Sequence, residues 1–188
     1  MKKTIENIAS LPKWYGFVAI SMYAILFAEY MNTINIIYIS NKAELSGFIS
    51  TIMNINYVII FLSCIAVWII SSLLFHLTAV LFNGNIKFSK FLFTALYPFI
   101  IPSIAIFIAI LLLKNNDITK DIDMEQFLIQ SSHFRMVTNI VNYSFIPYYL
   151  LIIYLIRYLY NFKWLYAFFS VAIPSLTIWG ISELFNLL

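Results

Sequence analysis

The sequence predicts an all-α, polytopic membrane protein with five transmembrane helices. Of its 188 residues, 63% are hydrophobic and 10% are charged, whereas about a quarter of the residues are charged in a typical soluble domain. The hydrophobic residues form five long runs, and a helix needs roughly twenty apolar residues to cross a bilayer. Because no water hydrates the backbone inside a bilayer, each run is expected to be helical.

The charges of the connectors predict the orientation. One set of connectors holds seven Lys and Arg and a single acid, Glu6, whereas the other set holds four Lys and Arg and five acids. Cytoplasmic loops of membrane proteins are enriched in Lys and Arg. We therefore expect a cytoplasmic N-terminus and an outer C-terminus, in a multi-pass protein of the plasma membrane. The basic residues of the predicted inner side are Lys2, Lys3, Lys13, Lys87, Lys90, Arg157 and Lys163.

The five spans and their connectors form one predicted integral membrane domain, 1–188. Trp14 and Tyr15 at the start of span one and Tyr38 near its end match the aromatic belts of membrane interfaces. Asn83-Gly84 is a turn signal between spans two and three. The predicted spans are 14–37, 55–82, 91–113, 136–155 and 164–187.

Three connectors are long enough to carry structure of their own. The segment 2–13 is expected to lie on the inner membrane surface, and 41–50 is expected to be an outer loop. Within 114–135, Asp123 and Gln126 resemble a capping box and precede a helical apolar pattern. We expect a short outer helix there, with an apolar face that contacts a partner or the membrane. The candidate contact residues of this face are Met124, Phe127, Leu128 and Phe134.

Four prolines fall within three of the predicted spans. A proline removes a helical hydrogen bond and kinks the helix. The kinked helices either enclose a cavity or groove, or simply pack well against each other, and the sequence favours neither reading. Together with the glycine of the first inner loop, the candidate kink and packing residues are Gly84, Pro98, Pro102, Pro147 and Pro174.

Two stretches of the chain echo each other. Asn85-Ile86-Lys87-Phe88 precedes Pro98 by the same spacing with which Asn161-Phe162-Lys163-Trp164 precedes Pro174. Each stretch begins at a predicted inner loop and enters an outward-going span. Spans two-three and four-five are therefore predicted to repeat one hairpin in the same orientation, as parallel repeats do.

Several residues resemble the Yip-domain family of five-span membrane proteins. In the centre of the chain these are Trp68, His76, Leu77, Gly84, Phe88, Phe91, Pro98 and Pro102. Lys163, Trp164 and Ala172-Ile173-Pro174 resemble the closing hairpin of the family. The resemblance extends from about Ile55 to the C-terminus, and the acidic-aromatic N-terminal motifs of eukaryotic members are missing, so the chain is more similar to the bacterial type.

The resemblance implies a fold and a function. The fold would have five spans, a cytoplasmic N-terminus and a very short outer tail. The function would be non-enzymatic, as an accessory or immunity component associated with an ABC exporter and protecting the membrane against membrane-active peptides. The implied partners are the lipid bilayer and either exporter subunits or an amphipathic peptide.

Five polar residues within the spans are candidate functional groups. An ionisable residue inside a membrane is by default a functional hypothesis, and Glu29 lies well inside span one. An interhelical hydrogen bond that fixes packing is one reading, and an ion or proton pathway in a small transporter or channel is the alternative. The candidate residues are Glu29, Asn32, His76, Asn139 and Asn142.

Enzymatic and cofactor chemistry is less well supported. Ser72 lies four residues before His76 on one helix face, but a serine in a helix usually bonds its own backbone, so we favour packing over an intramembrane hydrolase. Two His, one Cys and acids on both membrane sides do not form a metal-ligand set, and no phosphate-loop or HExxH motif is present. We therefore predict no cofactor and no metal. We also predict no nucleic acid, because the basic clusters suit anionic lipid headgroups instead.

Overall fold

The computed structural model describes residues 7, 10–39, 46–115 and 131–186, and this part of the chain is helical apart from its turns. The chain also makes one 3₁₀ turn within the described residues, Tyr97–Phe99. The helices are α1 (Lys13–Ile39), α2 (Ser46–Leu81), α3 (Phe88–Thr94), α4 (Ile100–Lys114), α5 (Ser132–Leu159) and α6 (Trp164–Asn186).

Five segments of the described chain are long and apolar enough to cross a membrane. Their length and composition confirm the predicted class, an all-α multi-pass membrane protein. The segment Phe88–Lys114 combines α3, the 3₁₀ turn and α4. The five segments are Lys13–Ile36, Ile55–Leu81, Phe88–Lys114, Ser132–Leu159 and Trp164–Ile181.

α2 and α5 begin several residues before their apolar runs. α2 begins at Ser46, so part of the predicted outer loop 41–50 is helical. α5 begins at Ser132 because Ser131 caps it, with the Ser131 Oγ accepting a hydrogen bond from the Phe134 backbone N–H at 3.2 Å. Phe134 therefore lies in the first turn of a spanning helix and not in a separate outer helix. Three predicted contact residues lie outside the described residues: Met124, Phe127 and Leu128.

Span three is broken where a kink was predicted. Pro98 has no N–H to donate to the Thr94 carbonyl, and the chain leaves α3 at Ala95, whose N–H donates to the Phe91 carbonyl at 2.8 Å. Pro102, also predicted to kink this span, is instead the third residue of α4. An N–H at that position has no acceptor within the helix, so Pro102 is compatible with a regular helix start.

The other two prolines lie within continuous helices. Pro147 is inside α5 and Pro174 is inside α6. Pro98 and Pro174, which the sequence echo aligns, thus occupy different backbone structures. The difference shows that a shared proline alone does not determine whether a helix breaks.

α2 and α5 end with the same type of cap. Asn83 and Asn161 adopt the left-handed conformation, with φ of 66° and 53°. The Gly84 N–H donates to the Ala79 carbonyl at 2.9 Å, and the Phe162 N–H donates to the Arg157 carbonyl at 3.0 Å. These bonds define Schellman caps, in which asparagine can replace the usual glycine. The caps align Asn83 with Asn161, whereas the sequence echo aligned Asn85 with Asn161.

The chain divides into two compact units. Unit 1 comprises Met1–Ala19, Ala66–Pro98 and Tyr148–Leu188, and unit 2 comprises Ile20–Ile65 and Phe99–Pro147. Each unit has a buried apolar interior of its own. The fully buried residues include Phe91, Leu96, Leu155 and Ile156 in unit 1, and Ala24, Ala28, Ile106 and Ala109 in unit 2.

Candidate functional site

The break in span three exposes backbone that a neighbouring helix satisfies. In a continuous helix the Leu96 N–H would donate to the Leu92 carbonyl, but here it donates to the Phe93 carbonyl at 3.4 Å. The Trp68 indole N–H of α2 donates to the Leu92 carbonyl instead, at 3.2 Å. Unsatisfied backbone groups cost several kcal/mol in a bilayer, so Trp68 stabilises the break.

The start of α1 covers the same break. The Tyr97 hydroxyl lies 3.0 Å and 3.1 Å from the carbonyl oxygens of Leu11 and Pro12. Gly16 approaches so closely that a Cβ there would lie 2.9 Å from the Leu96 Cβ. We call this region the break junction and define it by Gly16, Trp68, Leu92, Leu96 and Tyr97. Neither Gly16 nor Tyr97 was predicted from the sequence as a packing residue, although an isolated glycine within a helical run can indicate close packing.

Replacing Trp68 with phenylalanine is expected to destabilise the protein by about 2 kcal/mol, because the Leu92 carbonyl then loses its donor in an apolar setting. The measurement is SDS-induced unfolding of the purified protein in detergent micelles, followed by circular dichroism. Trp179→Phe, at an exposed position of α6, is the control and should unfold like the wild type. Equal unfolding of the two variants would contradict the role of the indole N–H.

A histidine–tyrosine pair joins α2 to the turn after α5. The His76 Nδ1 lies 2.5 Å from the Tyr160 hydroxyl oxygen, within hydrogen-bonding distance. Burial raises the pKa of the Tyr160 hydroxyl, which keeps it protonated at neutral pH and able to donate to Nδ1. The centroid of the Phe88 ring lies 5.2 Å from that of His76. The centroid of the Phe91 ring lies 5.9 Å from that of Tyr160. The Nδ1 partner of His76 is thus Tyr160, and Ser72 is buried separately on α2.

Gly84 allows the two loops of unit 1 to pack against each other. A Cβ at Gly84 would lie 2.5 Å from the Tyr160 Cδ1 and 3.0 Å from the Phe162 Cζ. It would also lie 2.8 Å from the Ala79 carbonyl oxygen, which is backbone and cannot rotate away. The sequence predicted Gly84 as a turn and packing residue, and the structure gives the physical reason. We call this region the His–Tyr cluster and define it by His76, Gly84, Phe88, Tyr160 and Phe162.

In unit 2, the intramembrane acid of α1 has a basic partner. The Glu29 Oε1 accepts a hydrogen bond from the Lys114 Nζ at 2.9 Å, with 36% of the Glu29 side chain and 54% of the Lys114 side chain exposed. Lys114 is the last residue of α4, where the helix dipole favours a cation. The sequence analysis found no basic partner for Glu29, because Lys114 was assigned to the outer connector.

A further polar contact joins the end of α4 to α5. The His133 Nε2 lies 3.3 Å from the Leu112 carbonyl oxygen, and since a carbonyl can only accept, Nε2 carries the hydrogen. The contact satisfies one of the free carbonyls at the end of α4. On α5, the Thr138 hydroxyl donates within its own helix to the Phe134 carbonyl at 3.0 Å. The ion-pair cluster, defined by Glu29, Lys114, Leu112 and His133, thus connects α1, α4 and α5 within unit 2.

The remaining predicted polar residues are less constrained. Asn32 and Asn139 are half-buried, and Asn142 is exposed. Glu29 and His76 belong to different units, and each forms its own pair. Among the described residues, no three His, Cys, Asp or Glu side chains are grouped as a metal site requires.

Comparison with known proteins adds no relative. No protein-family model, no curated protein and no solved structure matches this chain. The chemistry of the break junction, the His–Tyr cluster and the ion-pair cluster is therefore the basis on which a function can be argued.

Proposed function

We propose that this chain is a non-enzymatic, Yip-type protein of the bacterial plasma membrane. It acts as an accessory or immunity component of an ABC exporter and protects the membrane against membrane-active peptides. One observation supports a scaffolding role above all: polar groups in the apolar helices are bound across helices. Glu29 is paired with Lys114, and His76 is paired with Tyr160. Such interhelical contacts fix helix packing in membranes.

The charge distribution supports a cytoplasmic N-terminus and an outer C-terminus. Within the described residues of unit 1, Lys87 and Lys163 lie in the two loops that face each other through Gly84, and loops rich in Lys and Arg remain in the cytoplasm. The shared Schellman caps at Asn83 and Asn161 support the repeated hairpin. When the two caps are aligned, the loop between α5 and α6 is shorter than the loop between α2 and α3.

The exposed surfaces support a protein that works through contacts with lipid or with partner helices. Within an 18-residue stretch of each spanning segment, 22% is buried in α2 and in α6, against 50% in Phe88–Lys114. α6 presents the large exposed side chains Trp164, Phe168 and Trp179. Such aromatic groups provide large contact areas at interfaces. We assign the exporter-contacting or peptide-contacting surface to α6.

A small transporter or channel is the second candidate. It is favoured by the partial exposure of the Glu29–Lys114 pair, since water or an ion can reach these charges and compete for the carboxylate. A transporter or channel of this kind would need the Glu29 carboxylate for activity, even where the helices pack as in the wild type.

The proposed function is tested by a peptide challenge and by affinity purification from native cells. A strain lacking the protein should survive exposure to a cationic amphipathic peptide less well than a strain that expresses it. Tagged wild-type protein should co-purify with exporter subunits in mild detergent. Equal survival of both strains, together with recovery of the protein alone, would contradict the proposal.

A matched pair of variants tests the α6 surface. Phe168→Asn on α6 should lower the recovery of exporter subunits by about tenfold, the effect of losing roughly 1.4 kcal/mol of contact free energy. Phe107→Asn on α4 is the control, because the two side chains are almost equally exposed, at 50% and 49%. An equal loss of subunits in both variants would indicate a general effect on membrane insertion and not a contact through α6.

A further inference from the structure

Four basic residues lie beside the two loops that Gly84 brings together. Lys87 and Lys90 follow the first loop, and Arg157 and Lys163 flank the second. The loops are in contact, since the Cα of Gly84 packs against the rings of Tyr160 and Phe162. All four basic side chains are exposed. The structure therefore concentrates positive charge at one end of unit 1.

The described part of unit 1 provides little negative charge to neutralise these residues. Within residues 10–19, 66–98 and 148–186 the acidic residue is Glu183, which lies near the other end of α6 from Lys163. Among these described residues, no acid near the four cations competes with an external anion. Their attraction for an anion is strongest where the neighbouring surface is apolar, because the local dielectric constant is low.

Arg157 is held in a fixed position beside this end. Its guanidinium carbon lies 4.5 Å from the centroid of the Trp164 ring, and the Trp164 ring packs edge-on against Tyr154 at 4.4 Å. A guanidinium presents several N–H donors in a planar fork that matches two oxygens of a phosphate. Stacking reduces the side-chain freedom that would otherwise be lost on binding.

Exposed apolar side chains lie close in the chain to the same cations, at the helix ends beside the two loops. Leu81, at the end of α2, is 81% exposed, and Leu165, two residues after Lys163, is 62% exposed. A soluble anion would contact the cations alone, whereas both leucines lie at the ends of spanning segments, where acyl chains can cover them. A phospholipid would satisfy both features, with its phosphate on the cations and its acyl chains along the leucines.

We propose that Lys87, Arg157 and Lys163 form a binding site for the phosphate headgroup of an anionic phospholipid. Arg157 binds the phosphate oxygens, and the two lysines neutralise the negative charge. The site is independent of the exporter and immunity role. The bound lipid would stabilise unit 1 by joining its two loops.

The test measures the unfolding temperature of the purified full-length protein in neutral detergent during titration with lipid. Phosphatidylglycerol should raise the midpoint more than phosphatidylcholine, and the apparent affinity follows from the dependence on lipid concentration. The triple variant Lys87→Gln/Arg157→Gln/Lys163→Gln should bind phosphatidylglycerol on the order of 100-fold more weakly, since each basic residue near an anionic surface contributes about fivefold. Arg135→Gln, at the other end of α5, is the control and should bind like the wild type.

A double variant that leaves Arg157 in place tests the same proposal with less risk of misfolding. If the triple variant does not fold, Lys87→Gln/Lys163→Gln retains the Arg157–Trp164 contact and should bind roughly 30-fold more weakly. An equal response to phosphatidylcholine, or full binding by the double variant, would overturn the proposal. An equal response to inorganic phosphate would overturn the lipid assignment in favour of a soluble phosphate compound.

Discussion

Replacing Gly84 with alanine is expected to destabilise the protein by about 3 kcal/mol, at the upper end of the range for overpacking. The added Cβ would meet the Tyr160 ring at 2.5 Å and the Ala79 carbonyl oxygen at 2.8 Å. The ring could turn only by disturbing its hydrogen bond with His76, and the carbonyl belongs to the Schellman cap. The two loops of unit 1 must therefore separate, or the cap of α2 must open.

Gly180→Ala is the matched control for this prediction. A Cβ at Gly180 has no heavy atom within 4 Å among the described residues, and alanine favours a helix by about 1 kcal/mol over glycine. We expect SDS-induced unfolding in micelles to occur earlier for Gly84→Ala, and at the same point or later for Gly180→Ala. If Gly84→Ala unfolds like the wild type, the close contact between the loops does not exist in the membrane protein.

The number and place of the spans could be predicted because hydrophobic length is a local property of the sequence. Each apolar run of about twenty residues gives one crossing, and the five runs correspond to five spanning segments. The helix ends were less predictable. α5 begins at Ser132, ahead of its apolar run, because the cap of Ser131 and not hydrophobicity determines the first turn.

The break in span three could be predicted only as a kink. Pro98 signals a lost hydrogen bond, but whether the helix bends or breaks depends on donors and close contacts from other helices. Trp68 provides a donor for the Leu92 carbonyl, and Gly16 allows α1 to approach Leu96. Neither contact follows from local sequence, since each joins residues that are far apart in the chain.

The partners of the polar residues were missed for the same reason. Glu29 and Lys114 are 85 positions apart, and His76 and Tyr160 are 84 apart. A single sequence shows that an intramembrane acid needs a partner, but which helices pack together is a property of the assembled bundle. Lys114 at the end of a span was the available signal, because a lysine at that place can reach an acid of a neighbouring helix.

Reversing either charge of the Glu29–Lys114 pair is expected to destabilise unit 2, whereas exchanging both residues should restore most of the stability. Glu29→Lys brings two ammonium groups together, and Lys114→Glu brings two carboxylates together. Each single change should cost about 2 kcal/mol, a value between those for charges in water and at a protein surface. The double exchange recreates an ion pair but places an anion at the end of α4, which the helix dipole disfavours by about 0.5 kcal/mol.

The double-mutant cycle and the peptide challenge together separate scaffold from transporter. The four proteins of the cycle are the wild type, the two single variants and the double exchange. Their unfolding in micelles gives the coupling free energy of the pair. The survival of peptide-treated cells that express each of them gives their function. In a scaffold, protection follows stability, so the exchanged variant should protect the cells almost like the wild type. In a transporter that uses the Glu29 carboxylate, the exchanged variant should be stable but inactive, and Glu29→Gln should be inactive as well. If the exchanged variant is stable but does not protect the cells, the scaffold proposal is wrong and the transporter is favoured. The position of the carboxylate would then matter beyond the ion pair that it forms.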